Sequence, residues 1–232
     1  MQRLHPNRRK AQLRRTLADD LVLTTVQLER RGLLRAADGL ALPRVTYTCR
    51  TRVNDAGSDL ELTFIGKDTA SLRAAPRELM HLAGLAEARS RLTLTPGEQW
   101  RHVSLSGRTR EQHPDAEIVQ TLDLTHASDA AVEFDAGYDL KRVERKLCAF
   151  AEHGYSRLLW ATTIHSRVRA VINLAQRLQA GGKLPHVTRV ETYYVNFWRT
   201  RNPYDGRPRC HKPFTLHQSY GAAAGSAGRS SG

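Results

Sequence analysis

AAVEFDAGYDLKRVERKL, Ala130 to Leu147, runs from small apolar residues through two acids into a basic, helix-like segment. Alternation of side chains along a strand puts residues two apart on the same face, so Glu133 and Asp135 share one face while Val132 and Phe134 share the other. Two like charges beside Ala130 and Ala131 raise each other's pKa unless a cation or a base compensates. In the segment that follows, Leu140, Val143, Leu147, Phe150 and Ala151 form an apolar stripe at helical spacing. At about 100° per residue, Lys146 falls about 60° from Val143 and Arg142 about 100° away, while Lys141 and Arg145 point nearly opposite. Lys146 can therefore snorkel inward along the stripe toward the acids. The plainer reading is that Arg142 and Lys146, four apart, bracket a solvated flank.

Working outward, QWRHVSLSG, AEIVQTLDL, DAAVEFD, RLLWATT and RVETYYVNF are five strand-length runs. ELMHLAGLAEARSRL precedes them as a helix, and DLKRVERKLCAFAEHG and SRVRAVINLAQRLQAGG are helices between the third and fourth and the fourth and fifth. Helices alternating with strands predict an α/β domain whose sheet is covered on both faces. Asp115 stands at the entrance to the second run, after Pro114, and Glu133 closes the third. Two carboxylates at adjacent strand ends can hold a hard divalent cation such as Mg²⁺, which leaves its other positions to water or phosphate oxygens. Such a cation lowers the pKa of a bound water and neutralises charge on a phosphate under attack.

The N-terminal third reads differently. Residues 1–18 hold six Arg or Lys, among them Arg8, Arg9 and Lys10, with no acid before Asp19; they predict a basic arm that lies along a phosphate backbone or frays. Residues 19–75 predict a small domain. Thr24 or Thr25 caps a short helix that Gly32 can end. LPRVTYTCRTRVNDAG carries Val45, Cys49 and Val53 four apart, as on one side of a second helix, with Arg44, Arg50 and Arg52 pointing elsewhere. With the strand SDLELTFIG, these are the ingredients of a winged helix presenting arginines to a major groove. The β-branched Val45, Thr46, Thr48 and Thr51 also suit a strand pair. Residues 76–217 form the larger domain, and 218–232, ending in YGAAAGSAGRSSG, have nothing to bury and predict a disordered tail.

Over its 232 residues the chain has 36 Lys plus Arg against 23 Asp plus Glu, a formal net charge of +13. That field attracts polyanions, most often nucleic acid, and double-stranded DNA is the expected partner. FWRTRNPYDGRPRCHK, with Arg199, Arg201, Arg207, Arg209 and Lys212, can close over a backbone or serve as an ordinary basic loop. Trp100, Trp160 and Trp198 sit in strand-like runs and read as core. No apolar stretch approaches the ~20 residues a membrane helix needs, and the basic N-terminus lacks the apolar region of a secretory signal. Three dispersed cysteines without a CxxC pair fit a reducing cytoplasm. No GxxxxGK[ST] stretch occurs, so nothing points to ATP-driven action.

Taken together, PDAEI, AAVEFDAG and ERKLCAF resemble the PD-(D/E)xK nuclease superfamily, and more narrowly the replication-relaxation family of plasmid and mobile-element proteins. HLAGLAEAR, His81 to Arg89, is similar to that family's His-Leu-Ala helix, with Glu87 at its acid. His113, Pro114 and Asp115 match an Arg-Pro-Asp strand start. Glu133 to Gly137 match a Glu-Val-Asp-Arg-Gly segment, and Lys146 a spaced lysine. TFIGKDTAS resembles the turn between the family's two domains.

The resemblance covers about residues 20 to 180. It implies a winged-helix-like domain followed by a restriction-endonuclease-like core, a central mixed sheet flanked by helices. It further implies Mg²⁺- or Mn²⁺-dependent cleavage or nicking of DNA linked to plasmid replication. Glu87, Asp115, Glu133 and Lys146 would be catalytic; Asp115, Glu133 and Asp135 would hold the metal. Arg8, Arg9, Lys10, Arg44, Arg50, Arg52, Arg142, Arg207, Arg209 and Lys212 would bind DNA, by a monomer or a homodimer. One departure matters: Asp135 stands where the superfamily pattern has a lysine. Either the lysine has moved to Lys146, or Asp135 is a third ligand, or the fold persists as a DNA-binding, replication-regulatory protein without catalysis.

Overall fold

Each long periodic segment of the C-terminal two thirds folds as its pattern predicts, and a computed structural model describes residues 5–51, 59–103, 112–120, 130–205 and 215–221. Helix α4, Pro76–Arg91, leads into strands β4, Glu98–His102, β5, Ala116–Gln120, and β6, Ala130–Asp135. Helix α5, Leu140–Glu152, strand β7, Arg157–Thr162, helix α6, His165–Ala180, strand β8, Arg189–Tyr194, and strand β9, His217–Gly221, complete it. The sheet runs in the order β4-β5-β6-β7-β8-β9. The β6–β7 and β7–β8 pairs are parallel and the others antiparallel. This is a mixed α/β fold with a six-stranded sheet flanked by helices.

The two faces of β6 explain its composition. Ala131 packs with Leu158, Trp160 and Val190 against Val143, Leu147 and Phe150 of α5 and Ile172 of α6. Ala130, Val132 and Phe134 pack on the other side with Leu79 and Ala83 of α4. A central strand covered on both faces must be apolar nearly throughout, so Glu133 and Asp135, both buried, are the exceptions that locate the chemistry.

The N-terminal part is α1, Pro6–Asp20, β1, Val22–Thr24, α2, Thr25–Arg30, α3, Leu34–Asp38, β2, Arg44–Arg50, and β3, Asp59–Gly66. Its three strands form an antiparallel sheet in the order β1-β3-β2. Thr24 caps α2 in a full capping box with Gln27. Two expectations are corrected here. From Pro6 onward the basic arm is helix α1, held down by buried Leu13, Leu17 and Asp20, because its leucines recur at i, i+4. The second helix expected around residues 44–53 is strand β2 up to Arg50. Val45, Tyr47 and Cys49 turn inward, while Arg44, Thr46, Thr48 and Arg50 are exposed. A four-residue apolar spacing satisfies a period of two as well as a helical turn, and the β-branched threonines favour the strand.

Apolar packing crosses the line drawn at residue 75. Val22, Leu62 and Phe64 share a core with Leu79, Phe134 and Leu159, and Ala86 of α4 joins Leu13, Leu17 and Leu28. The tail expected from residue 218 is corrected over its first four residues, since Gln218–Gly221 belong to β9 and pair with β8; residues 222–232 lie outside the described residues.

Candidate active site

Glu133 and Lys146 meet where strand β6 passes beneath helix α5. The lysine Nζ lies 2.9 Å from Glu133 Oε1 and 3.0 Å from Oε2, and it also donates to the His113 carbonyl at 3.1 Å. Glu133 is 0% exposed and Lys146 3%. The inward snorkelling read from the helix stripe is thus what the structure shows. Burial, then the charge of Asp115, pushes the Glu133 carboxyl well above its usual range, against the pull of Lys146 and a hydrogen bond from Tyr138.

Asp115 stands just before β5 and is gripped from two sides. His81 Nε2 of α4 is 2.9 Å from Oδ1, and the Phe134 N–H donates to Oδ2 at 2.8 Å. Burial raises the Asp115 pKa, but His81, the Phe134 N–H and Lys146 outweigh it and hold the group below the usual carboxylate range. Burial and mutual repulsion on one side, and the His81 contact and the Phe134 N–H on the other, thus shift the two neighbouring acids in opposite directions.

Two residues expected at this centre stand elsewhere. Asp135 accepts the N–H groups of Gly137 at 2.6 Å and Tyr138 at 2.5 Å, and the Trp160 Nε1–H at 3.3 Å. It shapes the β6–α5 turn, where Gly137 takes a φ of 140°. Glu87 accepts from Gln27 Nε2 at 2.8 Å and from the Tyr204 hydroxyl at 2.6 Å, and lies 2.9 Å from Arg30. It ties α4 to α2 and to the segment after β8. His81, on the same helix, is six residues earlier, about 9 Å along the axis, so one helix cannot bring both to Asp115. Among the described residues, no three His, Cys, Asp or Glu side chains form a group that could hold a metal. The remaining complement is Asp115 and Glu133, hard oxygen donors of the kind Mg²⁺ and Mn²⁺ accept when water and phosphate fill the rest. Glu133 Oε1 lies 2.9 Å from the Lys146 ammonium, so a cation held here would sit beside that positive charge.

A cleft of about 610 Å³ opens beside this centre, between β2, the start of α4 and the β6–α5 turn. His81 and Tyr138 line it, and they are the residues that touch Asp115 and Glu133. Arg142 also lines it, its guanidinium 4.0 Å above the Tyr138 ring.

The remaining basic residues divide. Arg50 lies in the cleft wall, paired with Asp59 at 3.0 Å, and Arg44 pairs with Asp38. Neither sits on a helix. Arg8 is exposed on α1, with Arg9 and Lys10 half-buried beside it. Arg52, Arg207, Arg209 and Lys212 lie outside the described residues. Sequence reasoning passed over His81, Tyr138 and Arg77 as individual site residues. A histidine one turn into a helix that begins at Pro76, and a tyrosine just past the acid pair, were the available signals. Compared with known proteins, the chain matches no family model, no curated sequence and no solved structure.

Proposed function

We propose that this protein binds double-stranded DNA and cuts or nicks its phosphodiester backbone with Mg²⁺ or Mn²⁺, in the processing of plasmid or mobile-element DNA. The observation that carries this reading is the buried Glu133–Lys146 pair beside Asp115, set behind the His81 and Tyr138 wall of an arginine-lined cleft. The six-stranded mixed sheet between α4 and α5 supports a restriction-endonuclease-like core. Helices α2 and α3 followed by the antiparallel β2–β3 pair support a winged-helix-like unit, with exposed Arg35 of α3 replacing the arginines of β2 as the groove-facing candidate.

Asp115 and Glu133 would hold the cation. When bound, it supplies an activated water and offsets charge on the scissile phosphate. Lys146 balances the Glu133 carboxylate and stands ready to hold the developing charge, while His81 and the Phe134 N–H fix the Asp115 carboxylate. In Mg²⁺ or Mn²⁺, supercoiled plasmid is expected to become open circles. Asp115→Ala and Glu133→Ala should abolish this while keeping most DNA binding, and Lys146→Ala should lose much of the rate. Nicking by Glu133→Ala at the wild-type rate would place the activity elsewhere. One observation favours a second reading, a non-catalytic DNA-binding or replication-regulatory protein: both Glu133 oxygens already face Lys146, and no third acid joins them among the described residues. Intact plasmid with full DNA binding would select it.

A further inference from the structure

We infer that the cleft between β2 and the β6–α5 turn seats an unpaired DNA nucleotide, so that the preferred substrate is duplex that is locally open; this rests on the DNA reading above and narrows its substrate. The cleft measures about 610 Å³, within the range that encloses a small organic ligand. Its walls have two chemistries. Pro76 and Met80 offer apolar surface, and Tyr138 offers a ring beneath the planar Arg142 cation. Arg77, exposed, and Arg50, paired with Asp59, also line the cleft.

A site for backbone phosphates alone has no use for an apolar and aromatic wall. Paired bases in a duplex show only their edges in the grooves; their faces become available to such a wall only after unstacking. Arginines beside an aromatic ring match the sugar-phosphate and the base of one nucleotide together. The location agrees, since His81 and Tyr138 belong both to the cleft and to the partners of Asp115 and Glu133. A nucleotide seated here is one side chain, His81 or Tyr138, away from the acid pair.

The test compares a labelled closed duplex with the same duplex carrying a central mismatched bubble, by fluorescence anisotropy without divalent metal. Wild type is expected to bind the bubble about tenfold more tightly, the size of one base-stacking contact. Thr48→Glu and Arg77→Glu change exposed side chains on opposite walls of the cleft, and each should bring the ratio close to one. Arg177→Glu, exposed on α6, makes the same charge change as Arg77→Glu outside the cleft and should leave the ratio intact. Equal wild-type affinity for both DNAs, or a bubble preference that survives both cleft variants, would overturn the proposal while leaving duplex binding standing. Failure to bind either DNA at low salt would instead overturn the DNA reading and this one with it.

Discussion

Lys146 faces a carboxylate with no access to water, so its removal strands a buried charge. Breaking such a pair from one side costs about 3–5 kcal/mol, and Lys146→Met should lose stability of that order in urea denaturation. Glu133→Gln combined with Lys146→Met removes both charges and should recover a large part of the loss; additive losses would mean the two side chains act separately. Glu191 gives a pH test far from this centre. Burial raises its pKa, but hydrogen bonds from His217 and Tyr193 and the charges of Arg189 and Arg157 outweigh this and lower it. An acid with a depressed folded pKa stabilises the fold above its unfolded value, ordinarily 4.5, and loses that contribution as pH falls through the folded value. The Tm difference between wild type and Glu191→Gln should therefore be full above that pH and shrink on acidification; a gap that is constant with pH would contradict it. At this scale the site was half legible. Lys146 could be aimed from one helix stripe, and Asp115 and Glu133 from strand ends. Beyond the local turn that Asp135 makes with Gly137 and Tyr138, Glu87 is held by Gln27, Arg30 and Tyr204 and Asp135 by Trp160, far away in sequence, and no local pattern announces them.

Helix α4 is the element on which both parts of the molecule close. Its Gly84 faces Phe134 of β6 so closely that a Cβ there would lie 2.2 Å from the ring. Gly84→Ala must displace Phe134, and overpacking of this kind costs about 1–3 kcal/mol. Because the Phe134 N–H holds Asp115 and Glu133 is its chain neighbour, the same substitution should reduce nicking more than a surface change of equal destabilisation. Thermal unfolding alongside the plasmid assay checks both, and a wild-type Tm would show that the contact relaxes freely. Elements with an unbroken period were legible, as α5 and α6 show. Strand β2 was not, because Val45 and Cys49 fit two periods and only pairing with β3 decides between them. Strand β9 was missed for a different reason: HQSYG buries little and is held by its backbone bonds to β8, which composition does not report. Pairing order across six strands is likewise a non-local property.

Across the whole molecule the excess of +13 is the term that any nucleic acid meets first. If about seven phosphates are neutralised, counterion release gives a log–log slope of binding against salt of about −6. Binding that ignores salt would mean that charge is not the driving term. Where that charge sits can also be resolved. A free basic arm could be cut away, but α1 is packed through Leu13 and Leu17 into the core shared by α2, β3 and α4. Deleting residues 1–18 would expose that core and confound affinity with folding. Arg8 is exposed and Arg9 half-buried on the same helix, so Arg8→Gln with Arg9→Gln removes charge and leaves the leucines in place. Every phosphate that is no longer neutralised flattens the slope by about 0.9. If α1 lies along the backbone, the double variant should bind closed duplex with a slope shallower by about 2, while keeping its preference for the bubble, which belongs to the cleft. An unchanged slope would place α1 away from the DNA and leave α3 and the cleft arginines to bind the backbone.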